Sequence, residues 1–225
     1  MGLVVVGVQC VSASSGRCYA RELVSVAEEF NVPLTWFIGV SSKDPMGNAN
    51  LYRNEYLHRI PSWHEIGLLL DLSNGAVSSD KARGDLIRLG KEVLKQCHVK
   101  PTACWVTGNG LDEGVIRVLE DVGVLLAIST DKAGSGTRVG LFHHECQADS
   151  REGAARIYRL SSPIIALADA AATDRVLPGD ADADQTCTLV WTRDDRDDVH
   201  VLRRVLQETC DAGIPVRVAT AAIRG

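Results

Sequence analysis

The sequence lacks an excess of basic residues. Its 24 lysine and arginine residues are outnumbered by 29 aspartate and glutamate residues, and the formal net charge is -5 at pH 7. The basic residues are also scattered along the chain rather than clustered. Binding to nucleic acid or to an anionic membrane needs a basic surface. We therefore expect neither nucleic acid nor membrane among the partners.

Long hydrophobic runs are also missing. The apolar run Leu3–Val8 at the start of the chain has no basic segment before it and no cleavage site after it. It is far too short to cross a bilayer, and it does not have the layout of an export signal. We interpret this run as the first buried strand and expect a cytoplasmic protein.

Paired cysteines at short spacing are absent as well. The seven cysteines are odd in number and widely spaced, and none forms a CxxC motif. This pattern argues against both a disulfide framework and a zinc knuckle. We expect most of them to be small buried apolar residues.

The chain does contain apolar runs of strand length that alternate with amphipathic segments of helix length. Alternating β and α elements predict parallel strands with right-handed crossovers. A chain of 225 residues is long enough for one well-buried core, so we expect a single domain over 1–225. The pattern by itself fits an open sheet and a closed barrel equally. Helices are predicted at Ala20–Phe30, Asp80–Cys97, Leu111–Val122 and Asp197–Ala212.

Four sequence patterns together resemble the polysaccharide deacetylases of the NodB type, also known as carbohydrate esterase family four. Phe30–Phe37 is similar to the family's "YGVPATFF" signature, and His64–Gly67 matches the "HEIG" that precedes its HxxxH metal motif. Val99–Trp105 with Val118–Val124 is similar to "kPxgfR" and "LxexGf", and Thr188–Trp191 resembles the last strand. The resemblance implies an α/β fold, a distorted (β/α) barrel with about seven parallel strands.

The residues that perform the family's chemistry are replaced in this sequence. The resemblance places its aspartate pair, one base and one metal ligand, on Gln9 and Cys10. It places the two metal histidines on Leu69 and Ser73, its arginine near Trp105, and its late catalytic histidine near Trp191 or Thr192. Glutamine is no base at neutral pH, and leucine cannot bind a metal. We therefore expect no cofactor, and a divalent metal only if another site has been built.

A rebuilt site could draw on a few residues. Asp71 lies between the lost histidine positions, and His143 and His144 form the densest group of potential metal ligands. Cys10 and Cys104 lie at predicted strand ends that should face the mouth, where either could act as a nucleophile if a base lies nearby. The simpler interpretations are a turn-capping aspartate, an inert buried thiol, and a loop or strand edge with one buried and one exposed histidine. Consecutive residues of a regular strand point to opposite faces, so His143 and His144 cannot both bind one ion from a strand.

Tryptophan stands at two positions where the family has polar catalytic residues. Trp105 and Trp191 could stack on a sugar at the barrel mouth together with Gln9 and Ser73, or they could fill the space that the metal leaves. Three hypotheses follow: a metal-free pseudoenzyme that binds a carbohydrate-like ligand or a protein partner, a sugar amide or ester hydrolase with a rebuilt site, and a structural subunit. The sequence leaves the oligomeric state open.

Overall fold

The described part of the chain consists of nine strands and a layer of helices. The computed structural model describes residues 3–11, 13, 18–40, 49–72, 79–107, 112–131, 138–145, 156–166 and 187–222. The strands are β1 (Leu3–Cys10), β2 (Thr35–Gly39), β3 (Glu65–Asp71), β4 (Ala103–Thr107), β5 (Leu126–Asp131), β6 (Arg138–Glu145), β7 (Arg156–Ala166), β8 (Cys187–Arg193) and β9 (Val216–Arg217).

The strands form one sheet that closes on itself. Its order is β2-β3-β4-β5-β6-β7-β8-β1-β9, and β1 pairs with β2 as well as with β8. The distorted barrel predicted from the sequence is therefore confirmed. The strand count differs from the prediction of about seven, because β6 runs antiparallel to both β5 and β7 and because the two-residue strand β9 adds to β1.

The alternation of side chains along β1 explains its unbroken apolar sequence. Val4, Val6, Val8 and Cys10 belong to the large core cluster between the sheet and the helices, whereas Val5 belongs to a smaller cluster inside the barrel. Successive strand residues point to opposite faces, and both faces of this strand are covered. A strand buried on both sides needs apolar residues at every position.

The helices cover the outside of the barrel. They are α1 (Ala20–Phe30), α2 (Ala49–Tyr52), α3 (Asp80–Gln96), α4 (Glu113–Asp121), α5 (Arg196–Asp211) and α6 (Ala219–Ala222), with a π-helical turn at Arg53–Leu57 after α2. Side-chain caps set three of the starts. Ser79 accepts a hydrogen bond from the Ala82 amide, Asp112 from Val115, and Asp195 from Asp197 and Asp198. Within the described residues, no helix combines the length and the apolar character needed to span a bilayer.

The amino-terminal end of the barrel is closed by polar contacts to α6. The Thr35 hydroxyl accepts a hydrogen bond from the Ala219 amide at 2.9 Å and donates one to the Glu65 carboxylate at 3.0 Å. The Thr220 hydroxyl also donates to Glu65. This network joins β2, β3 and the last described helix at the amino-terminal end of the barrel.

Candidate functional site at the barrel mouth

The carboxyl ends of the strands bring four polar side chains to one end of the barrel, which we call the mouth. They are Gln9 on β1, Asp71 on β3, Thr107 on β4 and Arg193 on β8. Gln9 pairs in register with Arg193, and Asp71 pairs with Thr107. By alternation, each lies on the same face of its strand as the residue two positions earlier, and these residues face the barrel interior: Gly7, Leu69, Trp105 and Trp191. In barrels of parallel strands, this end is where active sites are built.

The layer below the mouth is apolar. Leu69, Trp105 and Ile128 pair in register across β3, β4 and β5. All three belong to the cluster inside the barrel and are 5%, 0% and 0% exposed. Leu69 is the position where the resemblance would put the first metal histidine. An aliphatic side chain in an apolar layer offers no ligand to an ion.

Three aromatic rings form a column through the barrel interior, which we call the aromatic column: Phe37, Trp105 and Trp191. The ring of Trp105 meets that of Phe37 edge-on at 5.3 Å between centroids, and that of Trp191 edge-on at 5.9 Å. Glycines make room for it. A Cβ at Gly67 would lie 2.8 Å from Phe37, and one at Gly7 would lie 3.2 Å from Phe37 and 3.3 Å from Trp105. The column occupies the interior of the barrel, and both interpretations of the two tryptophans stay predictions.

The top of the aromatic column meets a cation. Trp191 is half-buried, and the Arg193 guanidinium carbon lies 6.0 Å from the centre of its ring, within the range of a cation–π contact. The backbone of Arg193 is fixed, since its N–H donates to the Asp198 carboxylate at 2.6 Å. Thr192, between these two residues, is buried on the other face of β8. The mouth positions of this strand are therefore Trp191 and Arg193.

Two indole donors lie inside the barrel. The indole nitrogens of Trp105 and Trp191 are buried, and neither has a hydrogen-bond partner among the described residues. The same is true of Trp36 in the outer core cluster, so this feature does not distinguish the mouth.

Asp71 is exposed at the rim of the mouth, where its Oδ1 accepts a hydrogen bond from the Thr107 hydroxyl at 3.3 Å. The same hydroxyl lies 3.4 Å from the carbonyl oxygen of Leu70. The carboxylate is thus within reach of a ligand at the mouth.

The expectation that Cys10 and Cys104 face the mouth is wrong. Both lie in the outer core cluster, on the helix side of their strands. Burial raises the pKa of the Cys10 thiol well above its usual value, and the nearby Asp194 carboxylate raises it further. Burial also raises the pKa of Cys104. Thiols that stay protonated and enclosed are poor nucleophiles.

A buried carboxylate behind the mouth was missed by sequence reasoning. Asp194 directly follows β8 and is 0% exposed. It accepts hydrogen bonds from the Val11 amide at 3.1 Å and from the Tyr56 hydroxyl at 2.5 Å, and its own N–H donates to the Gln9 carbonyl. It thereby ties the ends of β1 and β8 to the π-helical turn. In the sequence it looked like part of a solvated charge run before a helix, and only Asp195 has that capping role.

The remaining predicted site residues are Ser73, His143 and His144. Ser73 lies outside the described residues. His143 and His144 are consecutive residues of β6, at the positions paired with Tyr158 and Ile157 of β7. We had expected a loop or a strand edge for these histidines. That expectation is wrong, because β6 pairs with β5 on one side and with β7 on the other.

The side chains that are described do not fit the family's metal. Among them, no three His, Cys, Asp or Glu residues come together as a metal site requires. Leu69 is apolar, Cys10 faces the helices, and the Asp71 carboxylate and the Gln9 amide are two oxygen donors at the mouth. A structural ion of the zinc type takes four protein ligands, and a catalytic one takes three.

The fold matches solved structures of deacetylases. Peptidoglycan deacetylase PdaC from Bacillus subtilis superposes with a TM-score of 0.62 at 10% identity over 99% of this chain and 90% of that one. BA3943, a CE4 family pseudoenzyme from Bacillus anthracis, gives 0.60 at 9% identity. The family 4 carbohydrate esterase from Streptomyces lividans gives 0.58 at 9% identity, over 96% of this chain and 91% of that one.

These matches have low sequence identity, and one of them covers only part of the matched protein. The match to BA3943 covers 98% of this chain but 64% of that protein, which is less than two thirds. No protein-family model matches the sequence, and no curated protein matches it. Identities of 9–10% establish a shared architecture and not a shared reaction. The chain has the fold of the CE4 polysaccharide deacetylases in a strongly divergent form.

Proposed function

We propose that this protein is a deacetylase-like pseudoenzyme that binds a carbohydrate-like ligand at the barrel mouth. The observation that supports this most strongly is the buried apolar layer of Leu69, Trp105 and Ile128, which occupies the level where a metal-dependent site would begin. Without a Lewis acid to polarise a carbonyl and to lower the pKa of water, the family's hydrolysis has no mechanism.

The mouth retains features of a binding surface. Trp191 presents part of an indole ring next to Arg193, and Gln9 and Asp71 add polar groups at the same rim. An aromatic side chain with a few polar groups around it is a common composition of a small-molecule site. The occurrence of a CE4 pseudoenzyme with this fold supports the loss of activity as a reasonable outcome.

The alternative of a hydrolase with a rebuilt site gains little support from the described side chains. Cys10 is enclosed on the far side of its strand, and the described partner of the Asp71 carboxylate is the Thr107 hydroxyl, which donates a hydrogen bond to it. General acid–base chemistry needs a group whose pKa lies near the working pH, within hydrogen-bond reach of the substrate.

Tryptophan fluorescence tests the proposal, using a panel of neutral, N-acetylated and uronate oligosaccharides. We expect at least one member to change the emission of the wild-type protein. Trp191→Phe should abolish the change, whereas Trp63→Phe should not, because Trp63 is an exposed tryptophan just before β3 at the opposite end of the barrel. A change that persists in Trp191→Phe, silence across the whole panel, or acetate release that a chelator stops would each contradict the proposal.

A further inference from the structure

Asp194 contacts three other elements from its place at the end of β8. Its N–H donates to the Gln9 carbonyl at 3.1 Å, and its carbonyl accepts from the Tyr19 amide at 3.2 Å. Its Oδ1 accepts from the Val11 amide at 3.1 Å, and its Oδ2 accepts from the Tyr56 hydroxyl at 2.5 Å. Tyr19 is the N-cap residue of α1, and Tyr56 lies in the π-helical turn. One residue therefore joins β1, α1 and that turn to β8.

The two contacts with β1 enclose the last residue of that strand. The Asp194 N–H binds the carbonyl that precedes Cys10, and the carboxylate binds the amide that follows it. The ladder between β1 and β8 ends with the pair Gln9 and Arg193, so the carboxylate holds Val11 beyond the point where the ladder stops. Register at this point decides which face of its strand each mouth residue occupies.

Stability alone does not account for a carboxylate at this position. Asp194 is 0% exposed, and a buried charge gives up its hydration. Replacing a buried ion pair by apolar residues of similar volume is often neutral or stabilising. The carboxylate provides direction instead, because its two oxygens accept from donors on two different elements. An apolar side chain could fill the same space, but it could not orient either donor.

We propose that Asp194 is a positioning residue of the mouth, which holds Gln9 and Arg193 in register from the helix side of the barrel. This inference rests on the proposed function and deepens it, because these two residues form one rim of the same site together with Trp191. Asp194 acts through the backbone of β1 and β8 and not through contact with a ligand.

Side-chain signals in ¹H–¹⁵N NMR spectra test the proposal without a ligand. The mouth reporters are the Trp191 indole, the Gln9 amide and the Arg193 guanidinium, and the reference is the Trp63 indole at the opposite end of the barrel. We expect Asp194→Ala to shift all three mouth reporters by more than a linewidth and to leave the reference in place. Asp194→Asn should return them towards their wild-type positions, because its amide oxygen still accepts from the backbone N–H on β1.

A matched control removes a different buried hydrogen bond. The Thr209 hydroxyl donates to the Val205 carbonyl at 2.7 Å, in the last turn of α5, which leads to β9 at the amino-terminal end of the barrel. Thr209→Val should leave the mouth reporters unchanged even where it lowers stability. Hydrogen exchange of the wild-type protein adds a measurement that needs no variant, since the Val11 amide should exchange as slowly as the amides within β1.

Three results would overturn this inference: unshifted mouth reporters in Asp194→Ala, the same shifts in Thr209→Val, or rapid exchange of the Val11 amide in the wild type. If Asp194→Ala does not fold, Val11 exchange in the wild type and in Asp194→Asn decides, and we expect protection in both. These measurements need no saccharide, so silence across the saccharide panel would overturn the proposed function alone.

Discussion

The contact between Tyr56 and Asp194 leads to a prediction about stability. Tyr56→Phe removes the hydroxyl that donates to the Asp194 carboxylate at 2.5 Å. Both residues are 0% exposed, so water cannot replace the lost donor. The ring keeps its packing, and the change therefore isolates the hydrogen bond.

The expected loss follows from the charge on the acceptor. A hydrogen bond to a charged group contributes about 1.5–3 kcal/mol to the free energy of unfolding. For a domain of this size, each kcal/mol lowers the melting temperature by about 2–4 °C. We therefore expect Tyr56→Phe to melt about 3–12 °C below the wild type.

Thermal melting followed by circular dichroism and urea unfolding measure the effect, and a double-mutant cycle assigns it. In an Asp194→Asn background the carboxylate charge is gone, so Tyr56→Phe should lose much less free energy of unfolding there than in the wild type. Equal losses in both backgrounds would refute the reasoning, since the hydroxyl would then stabilise the fold independently of Asp194.

Two further predictions concern packing and acid stability. Gly67→Ala brings a carbon to 2.8 Å from the Phe37 ring and should lower the free energy of unfolding by about 1–3 kcal/mol. Gly84→Ala in α3 meets only side chains and should raise it by about 0.5–1 kcal/mol. Urea unfolding measures both changes. Burial lowers the pKa of His64 from 6.5 to about 4, so the unfolded state binds more protons between these values. The free energy of unfolding should therefore fall by about 2 kcal/mol as the pH drops through that window. His64→Gln should flatten this pH dependence. The control variant His58→Gln, which replaces an exposed histidine, should keep it.

Much of the fold could be predicted because the patterns behind it are local. The apolar run Leu3–Val8 became most of β1, and Ala20–Phe30 became α1 with the predicted bounds. The helix predicted at Leu111–Val122 begins two residues later, at Glu113, because Asp112 caps it. Neither the strand β6 nor its reversed direction was predicted. Periodicity gives the type of an element and not its direction.

The site was harder to predict because its contacts join distant parts of the chain. Tyr56 and Asp194 are 138 residues apart, and nothing in the run of charges after β8 sets the buried carboxylate apart from its exposed neighbours. The orientation of Cys10 depended on the register of β1. A shift of one residue exchanges the two faces of a strand. That shift decides whether Gln9 or Cys10 faces the mouth.

The central claim is that the mouth no longer holds a catalytic metal, and metal content tests it most directly. The tag-free protein would be dialysed without chelator against zinc, cobalt, nickel or iron and analysed for bound metal. We predict far less than one equivalent of each, because Leu69 and the aromatic column occupy the level of the metal ligands. One tightly held equivalent that is lost in Asp71→Asn would contradict the account and would indicate a rebuilt hydrolytic site.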